Sequence, residues 1–461
     1  MKPKRPRIAL FGGSFNPPGN HHRAIARWLV KQFDQVLVIP CGPRPDKPST
    51  NEIEPIYRAA MVDMTFRGME KVQVELFDLE RESFSRTYEL IEKYEAQGEI
   101  WNVIGTDLIR GGANEESVIQ REWSSGKELW KTGNFVVVTR PNTAFDKKDL
   151  PPHNVLLEIG EKGSSSHIRE AIFHGQVVDE DLTPEVRRYI ARHGLYRGMH
   201  ANRTTRFQPD ELKPMLVVDD SNPAATKISK KLGMTSHPEP NVIYVIGGDG
   251  AMLRAIRKYW RMRLPFYGIN AGHLGFLLNE SPPPISPGHQ LTLHQLPLLW
   301  VETENARGEK HADVAFNDAW GERASGQTAW IQVTVNGKEQ IPKLLADAAL
   351  VSTAAGSASY ARAMGAQALP FNTPTLLLVG SNVLMPIGWK SAVLPLDSEV
   401  KFSALDPVKR PLNGYIDGVF QGVIQNMLVR LSHTASVELV FDPAHDPAEK
   451  LARIQFPTQN S

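Results

Sequence analysis

Twice in this chain a short apolar run ends in glycines and passes straight into a helical pattern. Ile8-Ala9-Leu10-Phe11 leads into Gly12-Gly13-Ser14-Phe15-Asn16-Pro17-Pro18-Gly19-Asn20-His21-His22, and residues 241–246 lead into Gly247-Gly248-Asp249-Gly250. A strand that ends this way turns backbone N–H groups toward one spot. The dipole of the following helix adds positive potential there, so phosphate is the natural ligand. The two runs lie on either side of a break near residue 205. Each glycine loop therefore belongs to its own folding unit of strands and helices.

With 461 residues the chain is too long for one ordinary core, and two or three domains are expected. A net charge of +1 gives no electrostatic case for nucleic acid or an anionic membrane surface as partner. The single Cys41 leaves no internal disulfide, speaks against a thiolate metal site, and fits a reducing cytoplasm. The start Met1-Lys2-Pro3-Lys4-Arg5-Pro6-Arg7 is basic, but the apolar run behind it is too short for a signal-peptide core. No apolar stretch is long enough to span a bilayer. The expectation is a cytoplasmic protein with no resident metal and no membrane or nucleic-acid partner.

Residues 7–11 read as a buried strand and 35–40 as a second, with a helix at 21–33 whose Ile25, Ala26, Leu29, Val30 and Phe33 recur at helical spacing. Apolar runs at 101–104, 135–138 and 155–159 alternate with helical patterns, which argues for a parallel sheet covered on both faces. Strands resume at 215–219 and 241–246. After Pro282-Pro283-Pro284, short strands at 330–335, 349–352, 375–379 and 427–431 are separated by Gly, Pro and Asn turns, a β-rich pattern. The expected domains are residues 1–200, a linker at 201–212 with little apolar content, and residues 213–461. The last divides into an α/β part at 213–282 and a mainly β part at 283–461.

In the first loop Gly12 and Gly13 let the backbone approach a ligand, and Pro17 and Pro18 stiffen the turn. His22 falls on the first helical turn, within reach of the same phosphate. Taken alone, these residues favour the plainer explanation of a tight turn and a solvated helix start. The longer pattern resembles the adenylyltransferases that join ATP to nicotinamide or nicotinate mononucleotide, whose signature is G-x-x-x-P-x-[T/H]-x-x-H. Gly13, Pro17 and His22 fill its fixed places, and Gly19 departs from its Thr or His. Ser165, Ser166, Ile168 and Arg169 approach the family's S-[ST]-x-x-[IV]-R motif with one residue less in the spacing. Lys47, Ile104-Gly105-Thr106-Asp107, Trp123 and Thr139-Arg140-Pro141 follow the family order, and the likeness covers residues 7–200.

That resemblance implies a Rossmann-like nucleotidyltransferase sheet and attack of the mononucleotide phosphate on the α-phosphorus of ATP, releasing pyrophosphate. By resemblance His22 contacts the phosphates at the reacting centre. Gly12, Gly13, Ser14, Phe15, Lys47, Ser166 and Arg169 bind ATP, with Mg²⁺ bridging its phosphates, and Asp107, Trp123 and Arg140 take the mononucleotide. A solvated lysine at 47, a helix cap at Asp107 and a core tryptophan at 123 are the structural alternatives.

The second loop differs by its aspartate. A carboxylate beside phosphate is electrostatically unfavourable unless it has a task, such as accepting a hydroxyl proton. Alone, Gly-Gly-Asp-Gly is a common turn. In order, however, Gly268-Ile269-Asn270-Ala271-Gly272-His273-Leu274-Gly275-Phe276, Asn317-Asp318, and Asp347 with Ser352-Thr353-Ala354-Ala355-Gly356-Ser357-Ala358-Ser359-Tyr360 resemble the NAD kinases, as does a late Asp417-Gly418 turn. The resemblance implies an α/β domain joined to a β-sandwich. It implies Asp249 as general base for the adenosine 2′-hydroxyl, and Gly247, Gly248 and Gly250 as the phosphate cradle. Phe276, Asn317, Asp318, Asp347, Ser357 and Tyr360 would bind NAD. Ala251 and Ala358 stand where the family has Thr, and Asp318 where it has Glu.

Together the two resemblances imply an α/β chain that makes NAD from a mononucleotide and ATP and then NADP from NAD and ATP, with Mg²⁺ and a homo-oligomeric assembly. If the first product is the second substrate, nicotinamide mononucleotide is favoured over the nicotinate form. Two alternatives stay open. The second half could sense NAD or NADP without catalysis, or the first could adenylylate a different phosphate.

Overall fold

The computed structural model describes residues 5–44, 47–139, 145–160, 163–198, 201–208, 212–272, 274–280, 290–443, 445 and 447–456. Arg140 and His273 lie outside them. The chain separates into two compact units, Met1–Asn202 and Arg203–Ser461.

The first unit is built on six parallel strands, β1 (Arg7–Gly13), β2 (Gln35–Pro40), β3 (Val72–Val74), β4 (Glu99–Gly105), β5 (Asn134–Thr139) and β6 (His153–Glu158). They are ordered β3-β2-β1-β4-β5-β6. The strands are apolar throughout because both faces are buried. Ala9 and Phe11 pack with Val36 and Val38 in one core, and Ile8 and Leu10 pack with Leu37 and Ile39 in another. Strand order reverses at the β1–β4 pair, so the loops leaving those two strands flank the crevice where this architecture receives ligands. Helix Asn20–Gln32 leaves the first of these loops and buries Ile25, Ala26 and Leu29 against the sheet.

The second unit contains a ten-stranded mixed sheet and a six-stranded antiparallel sheet. Strands β7 (Thr204–Phe207), β8 (Pro214–Val218), β9 (Val242–Gly247), β10 (Phe266–Asn270) and β11 (Leu291–Glu304) come first. Strands β8, β9 and β10 run parallel, and the long strand Asn426–Phe441 continues that parallel array through Phe266↔Leu439. The same long strand pairs antiparallel with β11 along most of its length and with Val400–Ala404 near its start. The two sheets close over Leu299, Val301, Ile331, Phe402 and Val429 from one and Ala319, Val351, Leu378 and Ile416 from the other.

Two sequence expectations need correction. Part of the stretch expected as a linker at 201–212 is strand β7, paired with β11 through Thr204↔His294 to Phe207↔Leu291. Only Phe207 of its four residues is buried, as an edge strand requires, so it carries no apolar period. The division at residue 282 is not a structural boundary either, because Asn426–Phe441 completes the parallel array that β8–β10 begin.

Candidate active sites

In the first unit the loop after β1 is tied down by its carbonyls. The fully buried Arg58 donates to the carbonyls of Ser14 (2.9 Å) and Cys41 (2.8 Å). Ser165 Oγ donates to Pro17 O (2.8 Å) and Arg169 to Asn16 O (2.7 Å). Tyr196 donates to the Asn16 side chain (2.6 Å). With these carbonyls held by protein donors, the loop keeps negative dipole ends off the crevice, as an anion site needs. A Cβ at Gly12 would meet nothing within 4 Å, so the backbone there faces open space. Phe15 is fully buried and packs edge-on against Phe11, with ring centroids 5.3 Å apart.

His22 sits in the first turn of helix Asn20–Gln32, and its Nδ1 accepts the Gly19 backbone N–H at 3.0 Å. An accepting Nδ1 assigns the proton of the neutral ring to Nε2, which makes that nitrogen a donor. The His22 ring lies 4.9 Å from Phe15 and 3.9 Å from His21, centroid to centroid. The departure at Gly19 has a steric cause. A Cβ there would stand 2.7 Å from His21 Nδ1 and 3.0 Å from the Asp181 carbonyl. A Cβ at Gly163 would also come within 2.8 Å of His21 Nδ1. The buried His21 imidazole thus occupies the slot between the two glycines.

Ser164 caps helix Ser165–Phe173 by accepting the His167 N–H at 3.1 Å. Ser166 is exposed on the first turn, while Arg169 also pairs with Glu52 (2.9 Å). Both line an open cavity of about 730 Å³ with Tyr57, Phe173 and Tyr196. Lys47 is exposed ahead of the short turn Pro48–Asn51. Asp107 is exposed just past β4, and its Oδ1 folds to within 2.3 Å of where a Gly105 Cβ would lie. Trp123 is half-buried beside Ile109, Ile119 and Trp130.

In the second unit, Gly248 caps helix Asp249–Tyr259, and the two glycine segments meet. Ala271 N–H donates to Gly247 O at 2.7 Å. The Asp249 carboxylate accepts the Phe276 N–H (2.9 Å) on one oxygen and the Leu277 N–H (2.8 Å) on the other. A Cβ at Gly248 would meet nothing, whereas one at Gly247 would stand 2.6 Å from Ala251 Cβ. Gly250 has only the Arg254 side chain within range. Phe276 is buried in one apolar cluster with Ala355 and Phe371, against which Leu253 and Ala358 pack.

Asn317 and Asp318 are held from below by Asp417, at a positive φ of 46°. Its carboxylate accepts the N–H groups of Phe316 (2.7 Å), Asn317 (2.8 Å) and Asp318 (3.2 Å). Asn317 Oδ1 and Asp318 Oδ2 are buried without a hydrogen-bond partner, which is costly unless a ligand supplies one. Burial, then the neighbouring Asp417, pushes the Asp318 pKa up to about 8. Burial pushes Asp417 to about 6, against the pull of its three amides. Asp417 therefore ionises first and Asp318 keeps the proton.

Tyr360 packs on Trp320 with centroids 4.8 Å apart, and Trp320 stacks on Tyr415 at 4.9 Å. Ser357 is fully buried. Its hydroxyl donates to Ala354 O (2.6 Å) and accepts the Leu369 N–H (2.8 Å), so it shapes the turn. Asp347 does not join Asn317 and Asp318. The register Asp318↔Ser352 and Glu322↔Ala348 puts it at the far end of strand Ala348–Thr353, paired with Arg323 (2.9 Å) and Asn382 (2.8 Å). Sequence reasoning missed Arg58, whose signal is one of two charges, with Asp63, in the otherwise largely apolar helix Pro55–Phe66. It also missed Tyr196, for which the sequence holds no signal.

The family model described as cytidylyltransferase-like matches residues 10–171, and the one described as the ATP-NAD kinase N-terminal domain matches residues 185–286. An NAD kinase of Rickettsia bellii is 32% identical over 238 residues, spanning 51% of this chain and 93% of the relative. One of Rickettsia peacockii is 33% identical over 260 residues, spanning 56% of this chain and 99% of the relative. The chain belongs to the NAD kinase family. Its kinase-family part is the second unit, and a cytidylyltransferase-like domain precedes it. Among solved structures, yeast NADH kinase complexed with NADH aligns with a TM-score of 0.42 at 13% identity, covering 73% of this chain and 82% of its own. An Archaeoglobus fulgidus NAD kinase in complex with ATP aligns at 0.39 and 18% identity, covering 52% and 97%.

Proposed function

We propose that the protein carries out two consecutive steps, adenylyl transfer from ATP to nicotinamide mononucleotide in the first unit and 2′-phosphorylation of the resulting NAD in the second. For the first step the carrying observation is His22, whose Nδ1 is fixed by the Gly19 amide so that Nε2–H is a donor beside the glycine loop. Transfer needs no covalent intermediate. Positioning and stabilisation of negative charge do the work. His22 donates to the α-phosphate as charge builds on it. Ser166, Arg169 and Lys47 hold the outer phosphates, with Arg169 exchanging its Glu52 partner for phosphate. Asp107 and Trp123 take the mononucleotide.

For the second step the carrying observation is the orphaned pair Asn317 Oδ1 and Asp318 Oδ2, which a ribose diol would satisfy. Asp249 accepts the 2′-hydroxyl proton on lone pairs its two amide donors leave over, while Gly247, Gly248 and Gly250 cradle the phosphates of ATP. Tyr360 and Phe276 flank the dinucleotide. Mg²⁺ would enter on the phosphate oxygens and neutralise charge there, because among the described residues no three metal-ligating side chains converge. A homo-oligomer through the six-stranded sheet and a reducing cytoplasm belong to the same reading. Exposed Val393, Phe420 and Val423 on that sheet support the first, and the lone Cys41 the second.

A second reading makes the kinase-family unit a sensor of NAD or NADP. Ala251, Ala358 and the amide-bound state of Asp249 favour it. One incubation of the full-length protein with ATP and Mg²⁺, in parallel with nicotinamide and nicotinate mononucleotide, separates these outcomes by chromatography. NADP from the nicotinamide reaction supports both steps, and its fall to a residual rate in Asp249→Asn with NAD still formed supports the base. NAD without NADP favours the sensor. Product from the nicotinate reaction alone breaks the coupling, and no dinucleotide from either points to a different acceptor.

A further inference from the structure

Lys450 lies on helix Pro447–Gln455 and is only 4% exposed. A buried ammonium is unfavourable unless its protons are taken up, and here three acceptors take them. Lys450 Nζ donates to the carbonyls of Gly275 and Leu278 and pairs with Glu280 at 3.0 Å. Those two carbonyls bracket the amides of Phe276 and Leu277 that hold Asp249. The Gly275 carbonyl and the Phe276 N–H belong to one peptide group. An unbroken chain therefore runs from the Lys450 ammonium through that peptide to Asp249 Oδ2. Charge on the carbonyl side of a peptide polarises it and strengthens donation from its N–H.

The segment that Lys450 grips is a tight turn in which the Gly275 carbonyl also accepts the Leu278 N–H at 3.1 Å. Gly275 is at φ +56°, which glycine adopts freely, and a Cβ there would stand 2.4 Å from Asn270 Cγ, so no side chain fits at this position. The other end of the same helix is fastened to the segment after Tyr360. Arg362 donates to Ile454 O (2.9 Å) and Gln455 to Ala368 O (2.9 Å).

We infer that Lys450 is a positioning residue for phosphoryl transfer, acting through the Gly275–Phe276 peptide to aim and charge-stabilise the Asp249 carboxylate. The inference rests on the reading of Asp249 as the base.

The test uses full-length protein carrying Lys450→Met, in the native background and in Asp249→Asn, with initial rates of NADP formation and a thermal melt for each. In the native background Lys450→Met lowers kcat by about tenfold to a hundredfold, with KM for NAD changed far less, because it is aim rather than substrate binding that is lost. In the Asp249→Asn background the same substitution changes the residual kcat by less than about twofold, since the group it acts on is already gone. Lys450→Arg, which keeps the charge, recovers part of the rate. An equal fractional loss in both backgrounds overturns the inference and leaves Lys450 a stabilising residue, and so does a native rate in Lys450→Met. If Lys450→Met loses its cooperative melt, Lys450→Arg carries the two-background comparison, with a smaller loss of kcat confined to the native background expected and an equal fractional loss in both backgrounds overturning the inference. A fully active Asp249→Asn, or no NADP from the native protein, instead overturns the base reading on which the inference depends.

Discussion

Asp318 and Asp417 share one buried acidic site and divide its resources unequally. Asp417 takes the three backbone amides of residues 316–318, while Asp318 keeps an oxygen with no partner. The division decides which of the two stays neutral and gives the second unit a pH-dependent stability. An acid whose folded-state pKa is raised favours the folded state when protonated. That contribution is complete below the ordinary carboxylate range and is lost as the pH climbs from there to about 8, with Asp417 acting in the same direction up to about 6. Asp318→Asn keeps the neutral shape and removes the titration. The expected outcome is a melting-temperature gap in favour of Asp318→Asn that widens between about pH 5 and pH 8. A constant gap contradicts the assignment of the proton to Asp318.

His22→Ala removes the donor at the glycine loop without opening the core. Dinucleotide synthesis is expected to fall by about 10²- to 10³-fold, the range for deleting one charge-stabilising donor. The circular dichroism spectrum and the melts of both units stay at their native values. Native activity in a folded variant removes His22 from the reacting centre.

Gly19→Thr places a Cβ where the His21 ring and the Asp181 carbonyl already lie. Overpacking of this kind destabilises by about 1–3 kcal/mol. Chemical denaturation of Gly19→Thr is expected to show that loss in the first unit, and His21→Ala combined with it to recover part. If the single variant is as stable as the native protein, His21 does not fill the slot as described.

Ser357→Ala leaves the half-buried Leu369 N–H without the acceptor it has in the fully buried Ser357 hydroxyl. The expected loss is about 1–3 kcal/mol of stability, with KM for NAD unchanged. A raised KM at native stability would instead place the hydroxyl on the ligand.

The sequence announced what is local. Strands β1, β2 and β5 are largely apolar runs, and each glycine loop passes directly into a helix, Asn20–Gln32 after the first and Asp249–Tyr259 within the second. The glycine segments and the Asn317-Asp318 pair carry their own spacing. What the sequence does not display depends on partners far along the chain. Asp417 reaches back about a hundred residues to the amides under Asn317, and nothing in an Asp-Gly turn signals this. Lys450 reads as a solvated lysine until the fold brings the carbonyls of Gly275 and Leu278 to it. Strand β7 was hidden because an edge strand with one buried side chain has no period to detect. Asp347 and Ser352 stand close in sequence, but the extended strand Ala348–Thr353 sets them at its two ends.

Strand Asn426–Phe441 is the neighbour of β10, although more than 150 residues separate β10 from it. On the ribosome this sets an order of events. The first unit draws every strand of its sheet from residues 7–158 and has all it needs once residue 202 has emerged. The second unit has to wait with the β8–β9–β10 array unfinished, the outer edge of β10 unpaired, until residue 441 leaves the exit tunnel. The chain therefore passes through a long stage in which a finished nucleotidyltransferase-like domain is tethered to an incomplete sheet. That stage is where chaperone demand and aggregation of the nascent protein will concentrate.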